Sequence, residues 1–238
     1  MEQTPIQILL DRTDQLRARL IRVILLVIGI AVVAYIYRDT VLDFLTRPLV
    51  EDRLIFIHPT EAFFTYIKIS LFAGVLLGAP YILYQLIMVS APLFEGNVNL
   101  TRSFLVITFL AGTLFFYVGA GFALLGVMPF AIRFLKGISG EKLEAVFTVG
   151  NYASFTMAFT LIFGFLFELP VISYGLSRMG LITKRTLISQ WRIVVAGAAV
   201  LAAVLTPPDP ITQMFLWGPL LVLYGLSILL VAFAERGD

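Results

Sequence analysis

The sequence contains no cysteine and a single histidine in 238 residues. Disulfides, thiol nucleophiles and cysteine-held zinc or iron–sulfur sites are therefore excluded. The lone His58 cannot build a histidine cluster for a metal, and in Ile57-His58-Pro59 it reads as a structural loop residue. Charge is scarce as well: 13% of residues are charged, where a soluble domain carries about 25%. The formal net charge of +2 gives no basic field for nucleic acid. There is no phosphate-cradling glycine loop, Walker lysine or nucleophile elbow. These absences argue against a metalloenzyme or hydrolase; no cofactor, metal or catalytic residue is expected. What the chain has in excess is hydrocarbon. Hydrophobic residues make up 60% of it, more than one soluble core can hide, so the chain belongs in lipid.

A membrane crossing takes about 20 apolar residues, because the hydrocarbon layer is about 30 Å thick and a helix rises about 1.5 Å per residue. Six stretches qualify as spans: 21–37, 66–91, 104–135, 152–176, 193–205 and 211–234. The third exceeds one crossing and contains Pro129, which predicts a kink. The fifth makes only about 20 Å of helix, short enough to thin the bilayer unless its neighbours shield it. Between the fifth and sixth lies Thr206-Pro207-Pro208-Asp209-Pro210, which cannot continue a helix and forces a hairpin. Pro80, Pro129, Pro170 and Pro219 all fall within spans and favour a bent, concave bundle. The fold class read from this pattern is an all-α integral membrane protein of six transmembrane helices, a single domain over 1–238.

Residues 1–20 are polar and of mixed charge rather than signal-like. Ile6, Leu9, Leu10, Thr13, Leu16 and Leu20 form one stripe at helical spacing, predicting an amphipathic surface helix before the first span. Arg12, Arg17, Arg19 and Arg22 flank that span on its N-terminal side, which places both termini in the cytoplasm. The long outer loops at 38–65 and 136–151 are then expected to form an ordered cap.

Glu168 sits in Phe165-Leu-Phe-Glu168-Leu-Pro170, amid apolar neighbours. An ionisable side chain in a span costs about 2.5–3.5 kcal/mol on insertion scales. Three roles fit it: a polar contact point for something entering the membrane, the proton site of a secondary transporter, or a structural hydrogen bond to a neighbouring helix. The hairpin supplies a second polar group in Thr206, Asp209, Thr212 and Gln213. Thr206 and Asp209 beside prolines are also ordinary turn residues.

Several stretches together resemble one family, TatC, the multispanning receptor subunit of the twin-arginine protein translocase. They are Leu16-Arg-Ala-Arg-Leu20, Pro59-Thr-Glu-Ala-Phe-Phe-Thr-Tyr-Ile-Lys-Ile-Ser70 and Ala79-Pro-Tyr-Ile-Leu-Tyr-Gln85, then Leu114-Phe-Phe-Tyr-Val-Gly119, Phe167-Glu-Leu-Pro170, Met179-Gly-Leu-Ile-Thr183 and Thr206-Pro-Pro-Asp209 with Gln213. Each alone is weak; the ordered series over nearly the whole chain is specific. The resemblance implies a non-enzymatic protein of a prokaryotic cytoplasmic (inner) membrane. It would bind twin-arginine signal peptides of folded cargo at its cytoplasmic face and recruit TatA-like and TatB-like single-span partners. Export would be driven by the proton-motive force, with self-association in the bilayer. By the same resemblance, Glu168, Thr206 and Gln213 would contact partner helices. Pro48, Pro80, Pro129, Pro170, Pro207, Pro208 and Asp209 would be kink or turn positions.

The chain also departs from the family pattern. Typical members carry Glu-His-Leu-x-Glu-Leu-Arg in the N-terminal helix, where this chain reads Asp11-Arg12-Thr13-Asp14-Gln15-Leu16-Arg17. Their aromatic in the second span is Val89 here, and their His-Glu-Arg-Arg loop cluster is Asn97-Val98-Asn99-Leu100. Two guanidinium groups call for carboxylates. Glu95, Asp11 and Asp14 are the acids left on that face, so the signal-binding set reads Asp11, Asp14, Gln15, Arg17, Val89, Glu95 and Val98. Two alternatives stand at this point: a proton-coupled transporter using Glu168, and a TatC-like scaffold that has lost twin-arginine recognition.

Overall fold

The computed structural model describes residues 5–47, 54–90, 102–139, 148–205 and 210–235. Apart from a single bridge between Ile55 and Thr148, the described residues are helical or belong to short turns, bends and irregular connections. In chain order the helices are α1 (Pro5–Ile36), α2 (Arg38–Thr46), α3 (Pro59–Ser90) and α4 (Arg102–Phe122). A π-helical turn, Ala123–Val127, then joins α4 to α5 (Met128–Ser139). There follow α6 (Val149–Phe167), α7 (Leu169–Arg178), α8 (Lys184–Ser189), α9 (Trp191–Leu205) and α10 (Pro210–Ala234).

Among the described residues, five stretches are long and apolar enough to cross a membrane: Leu16–Ile36, Thr60–Val89, Ser103–Phe134, Val149–Arg178 and Gln213–Ala234. Trp191–Leu205 is a sixth, shorter apolar helix. These are the six stretches the composition demanded. Where boundaries differ, local chemistry explains it. The helical course expected before the first span is described from Pro5 and runs on into that span as α1, since nothing between Pro5 and Ile36 breaks a helix. The second helix starts about two turns earlier than the expected span, at Pro59, because proline suits the first helical turn, where its missing N–H is unneeded.

The prolines act unequally. Pro129 lacks the N–H that would bond the Leu125 carbonyl, and its ring crowds that carbonyl. The α pattern gives way in the preceding turn, as the π segment containing Leu125. Pro170 has the same effect two residues back, at Glu168, where α6 ends and α7 begins. Through Pro80 and Pro219 the α pattern runs on. Pro48, Pro207, Pro208 and Asp209 lie outside the described residues.

The principal helix pairings are α1 with α3, α4 with α6, and α7 with α10. The largest buried cluster joins Val127 and Met128 at the π turn to Tyr152, Phe159 and Phe163 of α6, and to Ala202 and Leu216 of the α9–α10 hairpin. A second cluster seats α2 through the fully buried Leu45 against Ile69, Phe72, Ala153 and Met157. The Tyr152 hydroxyl donates to the Leu45 carbonyl at 3.0 Å.

The two long loops that precede α3 and α6 meet. The Val149 N–H donates to the Ile55 carbonyl at 3.1 Å. The Glu61 carboxylate accepts from the Ile57 N–H at 3.0 Å and, 89 residues away, from the Gly150 N–H at 2.9 Å. Glycine at 150 lets the backbone approach this carboxylate closely: a Cβ there would stand 2.7 Å from Glu61 Oε1 and 3.2 Å from Thr65 Oγ1, so the Glu61 side chain would have to shift.

Candidate functional site

Glu168 occupies the turn that Pro170 creates. Its N–H bonds back to Phe165 O at 3.1 Å, and its carbonyl accepts the Ile172 N–H at 2.8 Å, so the chain restarts directly as α7. Pro170 is itself fully buried, which pins the break against its neighbours. The consequence is a carboxyl fixed inside the bundle: Glu168 is 4% exposed. Its Oε1 is buried and has no hydrogen-bond partner.

That carboxyl borders a cavity of about 310 Å³ between α3, α4 and α7. Leu83, Leu86, Phe104 and Ile172 give the cavity carbon walls, and Thr108 and Gly112 of α4 line it together with Glu168. A Cβ at Gly112 would lie 3.0 Å from Glu168 Oε2 and 3.6 Å from Oε1, so the carboxyl uses the space that a side chain at 112 would fill. Thr108 Oγ1 is likewise buried and unpartnered. Neither Thr108 nor Gly112 was singled out from the sequence. A hydroxyl four residues before a glycine in an apolar run that also holds Thr113 was the only signal, and nothing in the chain told which helix it would face.

The chemistry available here is binding. Of the residues lining the cavity, Glu168 alone is ionisable. A transporter site would be expected to gather several converging polar groups around broken helices, so the arrangement favours the contact-point reading over the proton-carrier one. An apolar slot with one carboxyl and one hydroxyl suits an apolar segment carrying a single polar group.

The other expected site residues fall elsewhere. Gln213 does not line the Glu168 cavity. Its Nε2 donates to the Ala199 carbonyl at 3.2 Å, and one turn on the Trp217 Nε1–H donates to Val195 O at 3.1 Å. Both bonds tie α10 to the short α9 within the hairpin. Arg17 is exposed on α1, and Val89 is half-buried at the end of α3. Asp11, Asp14 and Gln15 belong to the helical course of α1, but their side chains lie outside the described residues, as do Glu95, Val98 and Thr206 altogether.

Comparison with known proteins agrees with this architecture. Residues 11–219 match the family described as Sec-independent protein translocase protein (TatC). The chain is 36% identical to a Sec-independent protein translocase protein TatC of Carboxydothermus hydrogenoformans, over 99% of this chain and 96% of that one. It is also 36% identical to a chloroplastic TATC of Oryza sativa subsp. japonica, over 90% of this chain and 60% of that longer one. Among solved structures, a crystal structure of the twin-arginine translocase receptor TatC superposes with a TM-score of 0.82 at 32% identity, covering 94% of this chain and all of the other. The ordered motifs, the helix course and the buried glutamate at a proline break thus lead to one conclusion: the chain is a multi-pass membrane protein belonging to the TatC family of Sec-independent protein translocase proteins.

Proposed function

We propose that this chain is the receptor core of a twin-arginine translocase in a prokaryotic cytoplasmic membrane, with both termini cytoplasmic. It binds the signal peptides of folded cargo on its cytoplasmic face and engages TatA-like and TatB-like single-span subunits within the bilayer. Its role is recognition and assembly, with the proton-motive force driving export. The observation that carries this reading is the unpaired Glu168 oxygen in an otherwise apolar cavity, on a fold shared with a solved twin-arginine translocase receptor. A buried carboxyl of this kind gives an apolar partner helix one polar point at which to register.

Signal reading is assigned to Asp11, Asp14, Gln15, Arg17, Val89, Glu95 and Val98, with Glu95 and the two aspartates supplying the carboxylates that an arginine pair requires. Thr206 and Gln213 belong to the partner-facing hairpin. Photocrosslinking probes at Gln15, Glu95 and Val98 test this in native membranes. A twin-arginine signal peptide should crosslink at these positions, and a two-lysine version should not. Equal crosslinking of both signals, or none in protein shown to be folded and inserted, would contradict receptor function.

A further inference from the structure

Among the buried hydroxyls of the described residues, some back-bond along their own helix, while those of Thr108, Thr113, Thr156 and Ser177 have no partner, and of these four Thr108 alone lines the Glu168 cavity. Ser70, Thr160 and Ser227 each donate to the carbonyl four residues back, at 2.7, 2.7 and 2.9 Å. Such back-bonding is the usual resolution for a hydroxyl in an apolar helix. Thr108 Oγ1 is buried without that bond or any other, and its residue lines the same cavity as the unpartnered Glu168 Oε1. Thr108 and Gly112 are four apart on α4 and therefore share a face, about 6 Å apart along the axis. Gly112 leaves the gap in which the carboxyl sits, since a Cβ there would stand 3.0 Å from Oε2.

We infer that Thr108 is a second recognition point beside Glu168, and that Gly112 is the positioning residue that holds the carboxyl opposite it. Together they take a neutral side chain that both donates and accepts a hydrogen bond, a carboxamide or a hydroxyl, presented by an otherwise apolar partner helix. This rests on the reading of Glu168 as a partner-helix contact. The rest of the chemistry narrows the occupant. A wholly apolar side chain would leave both oxygens unpaired in a carbon-lined cavity. A cationic one is disfavoured at the middle of a membrane helix. A donor to Glu168 that also accepts from the Thr108 hydroxyl satisfies both.

The test uses the full chain in liposomes with synthetic single-span leucine–alanine helices carrying one central Gln, Leu or Lys, and binding read by energy transfer. The Gln helix should bind about three- to tenfold more tightly than the Leu helix. Thr108→Val, which keeps the size and removes the hydroxyl, should erase most of that preference, and Gly112→Ala should do the same. Thr108→Ser should retain it. A Thr108→Val variant that keeps the full Gln preference, or weakens the Gln and Leu helices equally, would overturn the assignment of Thr108. Tightest binding by the Lys helix would overturn the neutral occupant. If Glu168→Leu leaves the Gln preference intact while Thr108→Val removes it, Thr108 stands and the underlying reading of Glu168 fails. Absence of any Gln preference in the unaltered protein would overturn both.

Discussion

Glu168 is kept at a cost to the fold. A buried acceptor left without a partner costs about 1–3 kcal/mol, and replacing it with an apolar group of similar shape is often neutral or stabilising. Glu168→Leu should therefore melt in detergent at the same temperature as the parent or a few degrees higher, while losing export of a twin-arginine reporter. A lower melting temperature would mean that the carboxyl serves the fold instead. Gly150 poses the opposite case. Its N–H is held by Glu61, and an added methyl meets the carboxylate at 2.7 Å. Gly150→Ala should lower the thermal midpoint by roughly 3–8 °C, the range expected of an overpacked site in a domain this size. An unchanged midpoint would show that the contact between the two long loops contributes nothing to stability.

At the scale of elements, the short α9 is the one that most needs its neighbour. Its fifteen residues, Trp191–Leu205, make about 22 Å of helix, and it holds to α10 through the Gln213–Ala199 and Trp217–Val195 bonds. Interhelical bonds of this kind are worth about 0.6 kcal/mol on average in membranes and reach about 1.7. Gln213→Leu should accordingly speed amide hydrogen exchange across α9 by about three- to tenfold, with little change in α1 and α3. Uniform exchange across all helices would place Gln213 outside the hairpin's support. The break at Pro170 works at the same scale: it ends α6 so that Glu168 turns inward, and Pro170→Ala should restore one continuous helix over 149–178. The check is hydrogen exchange at 166–172, which should slow by tenfold or more as the new N–H at 170 donates to the Leu166 carbonyl in the regular helical pattern; unchanged exchange there would mean that packing, and not the proline, sets the break.

For the whole molecule, insertion physics explains what could be read from the chain. Six apolar stretches and a lone acid beside Pro170 are local facts, and each appears in the structure close to where the pattern placed it. Relations between distant segments were not legible. The Glu61–Gly150 bond spans 89 residues, and both of its residues look like ordinary loop chemistry in sequence. Thr108 and Gly112 gain their meaning only because α4 packs on α6 and brings them to the same cavity as Glu168. The continuity of α1 was hidden for a different reason: a change of polarity at Leu20 mimics a boundary, whereas the backbone has no cause to break there.

The central claim is that this fold and its buried Glu168 serve as the receptor of a twin-arginine translocase. The most direct measurement is export of a folded reporter in a strain lacking its own TatC, with this chain and its cognate single-span subunits supplied together. The account predicts that export of the twin-arginine reporter is restored, falls to background with a two-lysine signal, and is lost in Glu168→Leu at unchanged membrane levels of the protein. Background export by the unaltered, correctly inserted chain, or full export by Glu168→Leu, would contradict it.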